Sequence, residues 1–455
     1  MGVTRQFAEV IVRGSAGRAT ERSSSFVRRS VLDWIGCAIS GSMSEAARLG
    51  GAYAQQFGAG GDIQVIGTGL RRDAGIAAWV NGVQGHVDDY DDSGSHPSSY
   101  LTPTVLALGQ ALGAPGARVL EAWAIGYEVA TTLGDGIHPD RGWHTTSLYG
   151  TLGAAAAAAL LLELGVDETE HALGIAASQT GGLMRNFGSM TKATHPANAA
   201  RAGIEAARLA ALGFEASSGI VESRYGLVDN FGGAKAHVPA IAPQREGPLR
   251  VERQPPVIKA WPTCTGTQRS LTAVFDFLAQ HPTAPDRIAR VDHFGPLIPG
   301  EGPLQYSSVA TPLQGKFSLE YTLAAAFVDG RIDHDSYRQE RFDRGDLQEF
   351  MRRIHRHRAH EATLHSSRTA SAIDVDRLVI ELSDGSVHDL KLGPRRTLDG
   401  TEVEEKFVQN AGRGRITADP DAVVAFVNDL ERAPSIAPLM SMLASDEALS
   451  GGMQA

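Results

Sequence analysis

Apolar residues recur at spacings of three and four through most of the first half of the chain, and this period predicts a succession of helices. The stretch VRRSVLDWIGCAISG (27–41) carries one apolar face and ends on glycine; 74–86, 102–113, 116–134, 145–165 and 195–213 follow in the same style. Several close on Leu-Gly or Ala-Leu-Gly, the signature of a glycine that caps an apolar last turn. Strictly alternating stretches are missing from this half, which argues against a doubly wound or barrel fold. The pattern changes near QREGPLRVERQPPVIKAWP (244–262), where charges and paired prolines interrupt it. Beyond that break, 286–294 and 376–392 alternate with period two, and Asp384-Gly385 lies in the second as a hairpin turn. Helical spacing returns at 266–279, 318–328 and 343–356, and again over 400–445. The expectation is a mainly α protein. A large all-helical domain spans 1–255 and is completed by 396–445, a smaller α+β domain spans 256–395, and 446–455 is a frayed tail.

Composition narrows the function classes. At 455 residues with 42% hydrophobic and 21% charged positions, the chain has material for two cores and no bias toward disorder. A net charge of −10 argues against nucleic acid or an anionic membrane surface as partner. The apolar run Leu152–Leu162 is mostly alanine and stops at Glu163, so it reads as a buried helix and not as a membrane span. Two cysteines, Cys37 and Cys264, cannot build a disulfide framework or hold an iron–sulfur cluster. The opening MGVTRQFAEVIVRG has no signal-peptide core, and the expected location is cytoplasmic.

The most unusual chemistry is GHVDDYDDSGSHPSSY (85–100), with Asp88, Asp89, Asp91 and Asp92 between His86 and His96. Asp89, Asp91, Ser93 and Gly94 match the first half of a calcium loop, but Tyr100 stands where that loop needs a glutamate, and Pro97 lies inside it. Two other stretches place protonatable groups where helices are expected to start. His144 precedes Thr145 and Thr146, both N-cap candidates, and Lys192 and His195 precede Pro196, the expected first residue of its helix. With His96-Pro97, that makes three helix starts with a cationic or titratable side chain at the positive end. Brought together they would form a pocket for carboxylates. The aspartates would then fix the tautomers and tune the histidines.

These blocks carry a resemblance. NGVQGHVDDYDDSGSHPSSYLTPTVLALGQALG and NFGSMTKATHPANAARAGIEAARLAALGF, with the weaker VLDWIGCAISG and KFSLEYTLAAAFVDGRI, resemble the MmgE/PrpD family over about residues 5–445. That family includes 2-methylcitrate dehydratase, cis-aconitate decarboxylase and iminodisuccinate epimerase. The resemblance implies a helical domain with an α+β lid, a homodimer, and a cofactor- and metal-independent lyase acting on a small polycarboxylic acid. It assigns Asp89, Ser93 (often threonine in relatives), His96, His144 and Lys192 to the active site, and Tyr321 from the lid. At one place the chain departs from the pattern: relatives commonly read K-x-[YF]-P-x-C-x-x-x-H, and KAWPTCTGTQ puts Gln268 at the histidine. Glutamine hydrogen-bonds but carries no titratable proton.

On this footing Lys192 and Gln268 bind substrate with Ser93. His96 or His144 moves a proton at the carbon beside a carboxylate, Asp89 orients an imidazole, and Tyr321 or the second histidine supplies the acid. Dehydration of a 2-methylcitrate-like acid is the first reading, with decarboxylation, epimerisation or a biosynthetic tailoring dehydration as alternatives. Two readings come from other classes: a metal-dependent hydrolase built on His86, Asp88, Asp91 and His96, and a non-catalytic carboxylate-binding protein. HRHRAHEATLH (355–365) reads as an exposed basic helix end.

Overall fold

The structure, a computed structural model, describes residues 2–15, 17–241, 247–296, 302–358 and 376–446. Among the described residues, nine helices come first: α1 (Val3–Arg13), α2 (Glu21–Gly41), α3 (Glu45–Phe57), α4 (Ala74–His86), α5 (Pro97–Leu112), α6 (Gly116–Gly136), α7 (Thr145–Leu161), α8 (Val166–Ala177) and α9 (Thr191–Ala211). Their starts are chemically specified. Thr20 caps α2 in a reciprocal box with Ser23, and the Asp73 carboxylate accepts from the Gly75 and Ile76 amides at the head of α4.

Helix α7 is the axis of this layer, buried from Thr146 to Leu161. Its alanines let α9 approach so closely that a Cβ added at Gly203 would lie 2.6 Å from the Ala154 carbonyl carbon. Gly82 does the same for α4 against α9, where a Cβ would meet the Ala197 Cα at 2.8 Å. These two contacts bring the end of α4 and the start of α9 together, and both carry site residues.

The last part of the chain returns to this layer. Helices α13 (Gly400–Ala411), α14 (Pro420–Asn428) and α15 (Ala437–Met442) place Val403, Phe407, Val427 and Leu439 in the main core, with Phe407 against Gly36 of α2. A second core, around Leu271, Phe277, Val291, Leu323 and Ile380, belongs to the α+β part. There α10 (Gln268–Gln280), α11 (Leu319–Asp329) and α12 (Gly345–Met351) pack with a four-stranded sheet ordered β4-β3-β5-β6. Strand β3 (Ile288–Gly295) runs parallel to β4 (Ile354–Arg358) and antiparallel to β5 (Arg377–Leu382), which turns through Asp384-Gly385 into β6 (Val387–Lys391). The fold is mainly α, with a smaller α+β part.

Three local expectations are corrected. The first part is not wholly helical, because β1 (Ile63–Gln64) and β2 (Arg71–Arg72) form a small antiparallel ladder. The helix expected to run from 343 to 356 stops at Met351, and 355–358 form edge strand β4 instead of a basic helix end; 359–365 lie outside the described residues. Helix α9 begins at Thr191, so Lys192 and His195 sit in its first turns and Pro196 lies within the helix. The frayed tail expected at 446–455 lies, after residue 446, outside the described residues. Among the described residues, no helix is long and apolar enough to cross a membrane.

Candidate active site

In the acidic loop between α4 and α5, Asp89, Asp91 and Asp92 are buried and Asp88 is partly buried, and each aspartate has its own partners. Asp89 and His96 hold it in shape, both in the left-handed backbone region (φ 51° and 50°) where residues other than glycine are strained. His96 then serves as the N-cap of α5, with Pro97 as its first residue.

Asp91 anchors two histidines. It accepts from Ser99 Oγ at 2.6 Å, from His96 Nδ1 at 3.1 Å and from His86 Nδ1 at 3.2 Å. The far nitrogen of His86, Nε2, accepts from the Lys192 ammonium at 2.6 Å, which fixes His86 as the neutral Nδ1–H tautomer. Lys192 also donates to Asp89 Oδ1 at 2.8 Å. His96 Nε2 lies 3.6 Å from the same oxygen. The phenyl rings of Phe187 and Phe317, 5.2 and 5.3 Å from Lys192 Nζ, form an apolar wall on which the ammonium rests.

His144 is the N-cap of α7, with Thr145 as first residue; its amide donates to the Gly182 carbonyl. Its ring sits edge-on to Phe187 and its centroid is 6.4 Å from those of both His86 and His96. Its Nδ1 is 2.9 Å from His195 Nδ1, so one imidazole donates and the other accepts. Helices α5, α7 and α9 thus point their positive ends at one place, each carrying a histidine or lysine in the cap or first turn.

Burial and charge set the protonation states. Burial, then the neighbouring Lys192, bring His86 down to about 3 and His195 to about 4, and hold His144 well below its ordinary value. Burial also lowers His96, against the pull of Asp91. Burial opposes ionisation of Asp89, but Lys192 and Lys259 hold its carboxyl well below the usual range. Burial likewise opposes ionisation of Asp91, and His96 and His86 outweigh it. Asp92 goes the other way: burial, then Asp91, push it well up, and it caps Ser98 through amide and hydroxyl. The resting cluster is therefore neutral imidazoles around two carboxylates and two lysines.

The structure brings Asp89, His96, His144 and Lys192 together; Ser93 lies in the same loop, its amide donating to the Val257 carbonyl on the segment that also bears Lys259. Two further residues expected in the site bond main-chain carbonyls of the α+β part. Tyr321 is buried in the core of the α+β part, its hydroxyl donating to the Ser336 carbonyl at 2.6 Å and its ring against Phe342. Gln268 is buried at the head of α10, and its amide nitrogen donates to the Trp261 and Thr263 carbonyls. Side-chain oxygens of Asp89 (Oδ2), Ser93, Thr146 and Gln268 (Oε1) are buried without a partner among the described residues.

Several members were missed from sequence. Lys259 reaches Asp89, and Lys316 and His334 pair with Asp88 at 3.2 and 3.4 Å. The metal set of the rival hydrolase reading therefore loses Asp88, which faces the α+β part. His86, Asp89, Asp91 and His96 converge within 4.8 Å, a spacing a metal could use. Lys192 Nζ, however, bonds two of these four directly and stands where a cation would go. A cavity of about 740 Å³ lies at the junction of the two parts, lined by Asp88, Met190, Thr191, Leu313, Lys316 and Tyr337. Its walls include the chain neighbours of Asp89 and Lys192, and its size suits a small organic acid.

Comparison with known proteins agrees with this architecture. Residues 5–239 match the MmgE/PrpD N-terminal domain and residues 261–428 the MmgE/PrpD C-terminal domain. Among curated proteins, the chain is 27% identical to cis-aconitate decarboxylase of Homo sapiens, over 97% of this chain and 94% of that one. It is 26% identical to the enzyme of the same name from Mus musculus (97% and 93%) and to that from Aspergillus terreus (91% and 90%). The chain belongs to the MmgE/PrpD family.

Proposed function

Starting from that membership, we propose that this protein is a carboxy-lyase acting on a small unsaturated polycarboxylic acid of the cis-aconitate type. The observation that carries the choice over dehydration is the state of Tyr321 and Gln268. Dehydration needs two opposed proton transfers, a base for the C–H and an acid for the departing hydroxyl. Tyr321 is committed to a main-chain carbonyl in the α+β core and Gln268 has no titratable proton, which leaves His96 and His144 alone to supply both transfers. Decarboxylation asks for one transfer. The C–C bond to the leaving carboxylate breaks, carbon dioxide departs, and the electron pair left on carbon spreads into the neighbouring double bond and carboxylate. One proton then closes the reaction at carbon.

The residues suit those demands. Lys192, resting on Phe187 and Phe317, takes a retained carboxylate and stabilises the charge that spreads into it; the ends of α5, α7 and α9 add to the same field. The aromatic wall keeps water from the carboxylate that leaves. His96 or His144, neutral at rest, takes up a proton when a polyanion enters and delivers it to carbon, with Asp91 fixing the His96 ring. The relatives named cis-aconitate decarboxylase support the same reading.

A panel of citrate-, aconitate- and succinate-type acids, followed by released carbon dioxide and by NMR of the remaining acid, tests it. The expected result is one equivalent of carbon dioxide and a product with one carboxyl fewer. An alkene product that retains every carboxyl group would return the protein to the dehydratases.

A further inference from the structure

Lys259 lies on the segment that leaves the helical part for the α+β part, and it is fully buried. Its ammonium donates to the main-chain carbonyl of Asp89 at 2.7 Å and stands 3.3 Å from Asp89 Oδ1, the oxygen that Lys192 also engages. One carboxylate oxygen therefore has two ammonium partners. Besides these two lysines, His86 and His96 act on Asp89, and the buried Cys264 and Tyr337 lie within its field.

The two lysines are held differently. Lys192 rests on aromatic rings and has a neutral imidazole as its other partner. Lys259 is locked from behind. The Lys406 ammonium, from α13, donates to the carbonyls of Lys259 at 3.1 Å and Tyr90 at 2.7 Å, and pairs with the buried Asp33 at 2.6 Å. Lys259 thus clamps the left-handed turn at Asp89 and has no freedom to follow a ligand.

We infer that Lys259 is a positioning residue: it keeps Asp89 paired and in place, so that Lys192 can exchange Asp89 for a substrate carboxylate. This inference rests on the polycarboxylate reading above. The exchange follows from the cost of buried charge. If Lys192 were the sole partner of Asp89, its departure would strand a buried carboxylate, and anionic ligands would have to compete with that penalty. With Lys259 present, Asp89 gives up one ammonium and keeps the other. The C-terminal helix α13, remote in sequence, thereby contributes to substrate affinity through Lys406 and the Lys259 main chain.

The test uses the full chain and two probes: cis-aconitate for turnover and its saturated analogue tricarballylate for binding by calorimetry. Lys259→Gln keeps a donor for the Asp89 carbonyl but removes the charge, and Lys259→Arg keeps the charge. Lys259→Gln is expected to raise the tricarballylate Kd and the KM at least tenfold while kcat falls less than threefold; Lys259→Arg recovers most of the affinity. In an Asp89→Asn background, where no carboxylate is left to hold, Lys259→Gln is expected to change Kd less than threefold. An equal loss of affinity in both backgrounds, or a Lys259→Gln variant with wild-type Kd and KM, overturns the inference. Should Lys259→Gln not accumulate as folded protein, Lys406→Met reads the same coupling, again with raised Kd expected and unchanged Kd as the contrary result. A wild-type protein that neither binds tricarballylate nor releases carbon dioxide sinks the polycarboxylate reading itself.

Discussion

Replacing Lys192 by methionine removes the ammonium and leaves a side chain of similar length against Phe187 and Phe317. At 2.8 Å and an effective dielectric of about 20, its attraction to Asp89 is about 6 kcal/mol, and Lys259 at 3.3 Å adds about 5 kcal/mol. These are gross values, because burying the ammonium groups offsets most of the attraction. Breaking a buried pair by removing one member costs about 3–5 kcal/mol when the survivor is left alone. Asp89 keeps Lys259, so the loss of folding stability is expected at or below the lower end, about 2–3 kcal/mol. The loss in catalysis is larger. A positive group aimed at developing charge contributes about 10²–10³ in rate, so kcat/KM should fall by at least about a hundredfold. Urea unfolding followed by tryptophan fluorescence reads the first quantity, and carbon dioxide release reads the second. Combining Lys192→Met with Asp89→Asn completes a double-mutant cycle. Its coupling should reach at least about 1 kcal/mol, since the Lys192–Asp89 attraction is lost in either single change and cannot be lost a second time in the double change. A Lys192→Met variant within tenfold of wild-type kcat/KM, or stability losses that simply add, would refute the reasoning.

Other outcomes follow from the same geometry. Stability should fall as pH drops from about 6.5 toward 4, because His86 and His195, depressed to about 3 and 4, bind protons more readily in the unfolded chain. His96, His144 and His293, also depressed by burial, add to this fall, while Asp33, raised to about 6 by burial, and Asp92, pushed well above its usual range, work against it by holding their protons in the fold; flat stability over that window in urea titrations contradicts the buried neutral imidazoles. Elemental analysis should find no stoichiometric metal, and a chelator should leave turnover unchanged, because Lys192 stands inside the only donor set found among the described residues; metal-restored activity would contradict this. Gln268→Leu removes a donor from the Trp261 and Thr263 carbonyls, the first of which keeps the Thr263 amide, and should cost about 1–3 kcal/mol of stability while leaving the pH–rate profile in place. A limb of that profile moving with the substitution would give Gln268 a part in proton transfer.

Much of this architecture is legible in the sequence, and the exceptions have physical causes. The helices of the first part announce themselves by period and by closing glycines such as Gly113, which adopts the left-handed conformation expected of a C-cap. The start of α9 does not, because Pro196 looks like a first residue; the helix begins a turn earlier and tolerates the proline at the loss of one hydrogen bond. Strand β4 reads IHRHR and lies at the sheet edge, where polar residues guard against further pairing and erase the alternation that would reveal it. Within the site, the acidic loop, His144 and Lys192 carry local signals in the form of clustered charge and helix starts. Lys259 and Lys316 open the stretches KAWPTCTGTQ and KFSLEYTLAAAFVDGRI, whose motifs point to Gln268 and Tyr321 and not to the lysines, while His334 and Lys406 carry no local signal. Each of the four takes its meaning from the aspartate or carbonyl that tertiary packing sets opposite it. Tyr321 shows the converse. Its motif placed it in the site, but its position in the first turn of α11 turns the ring toward Phe342 and Tyr337 in the core.

The most direct test of the central claim is the fate of one proton. Incubating the wild-type protein with cis-aconitate in deuterated water and following the mixture by NMR should show carbon dioxide released in step with a product carrying a single deuterium on carbon, and Lys192→Met should suppress both together. Hydration or dehydration with all three carboxyl groups intact, or deuterium uptake that survives the loss of Lys192, would contradict a decarboxylating site organised around that ammonium.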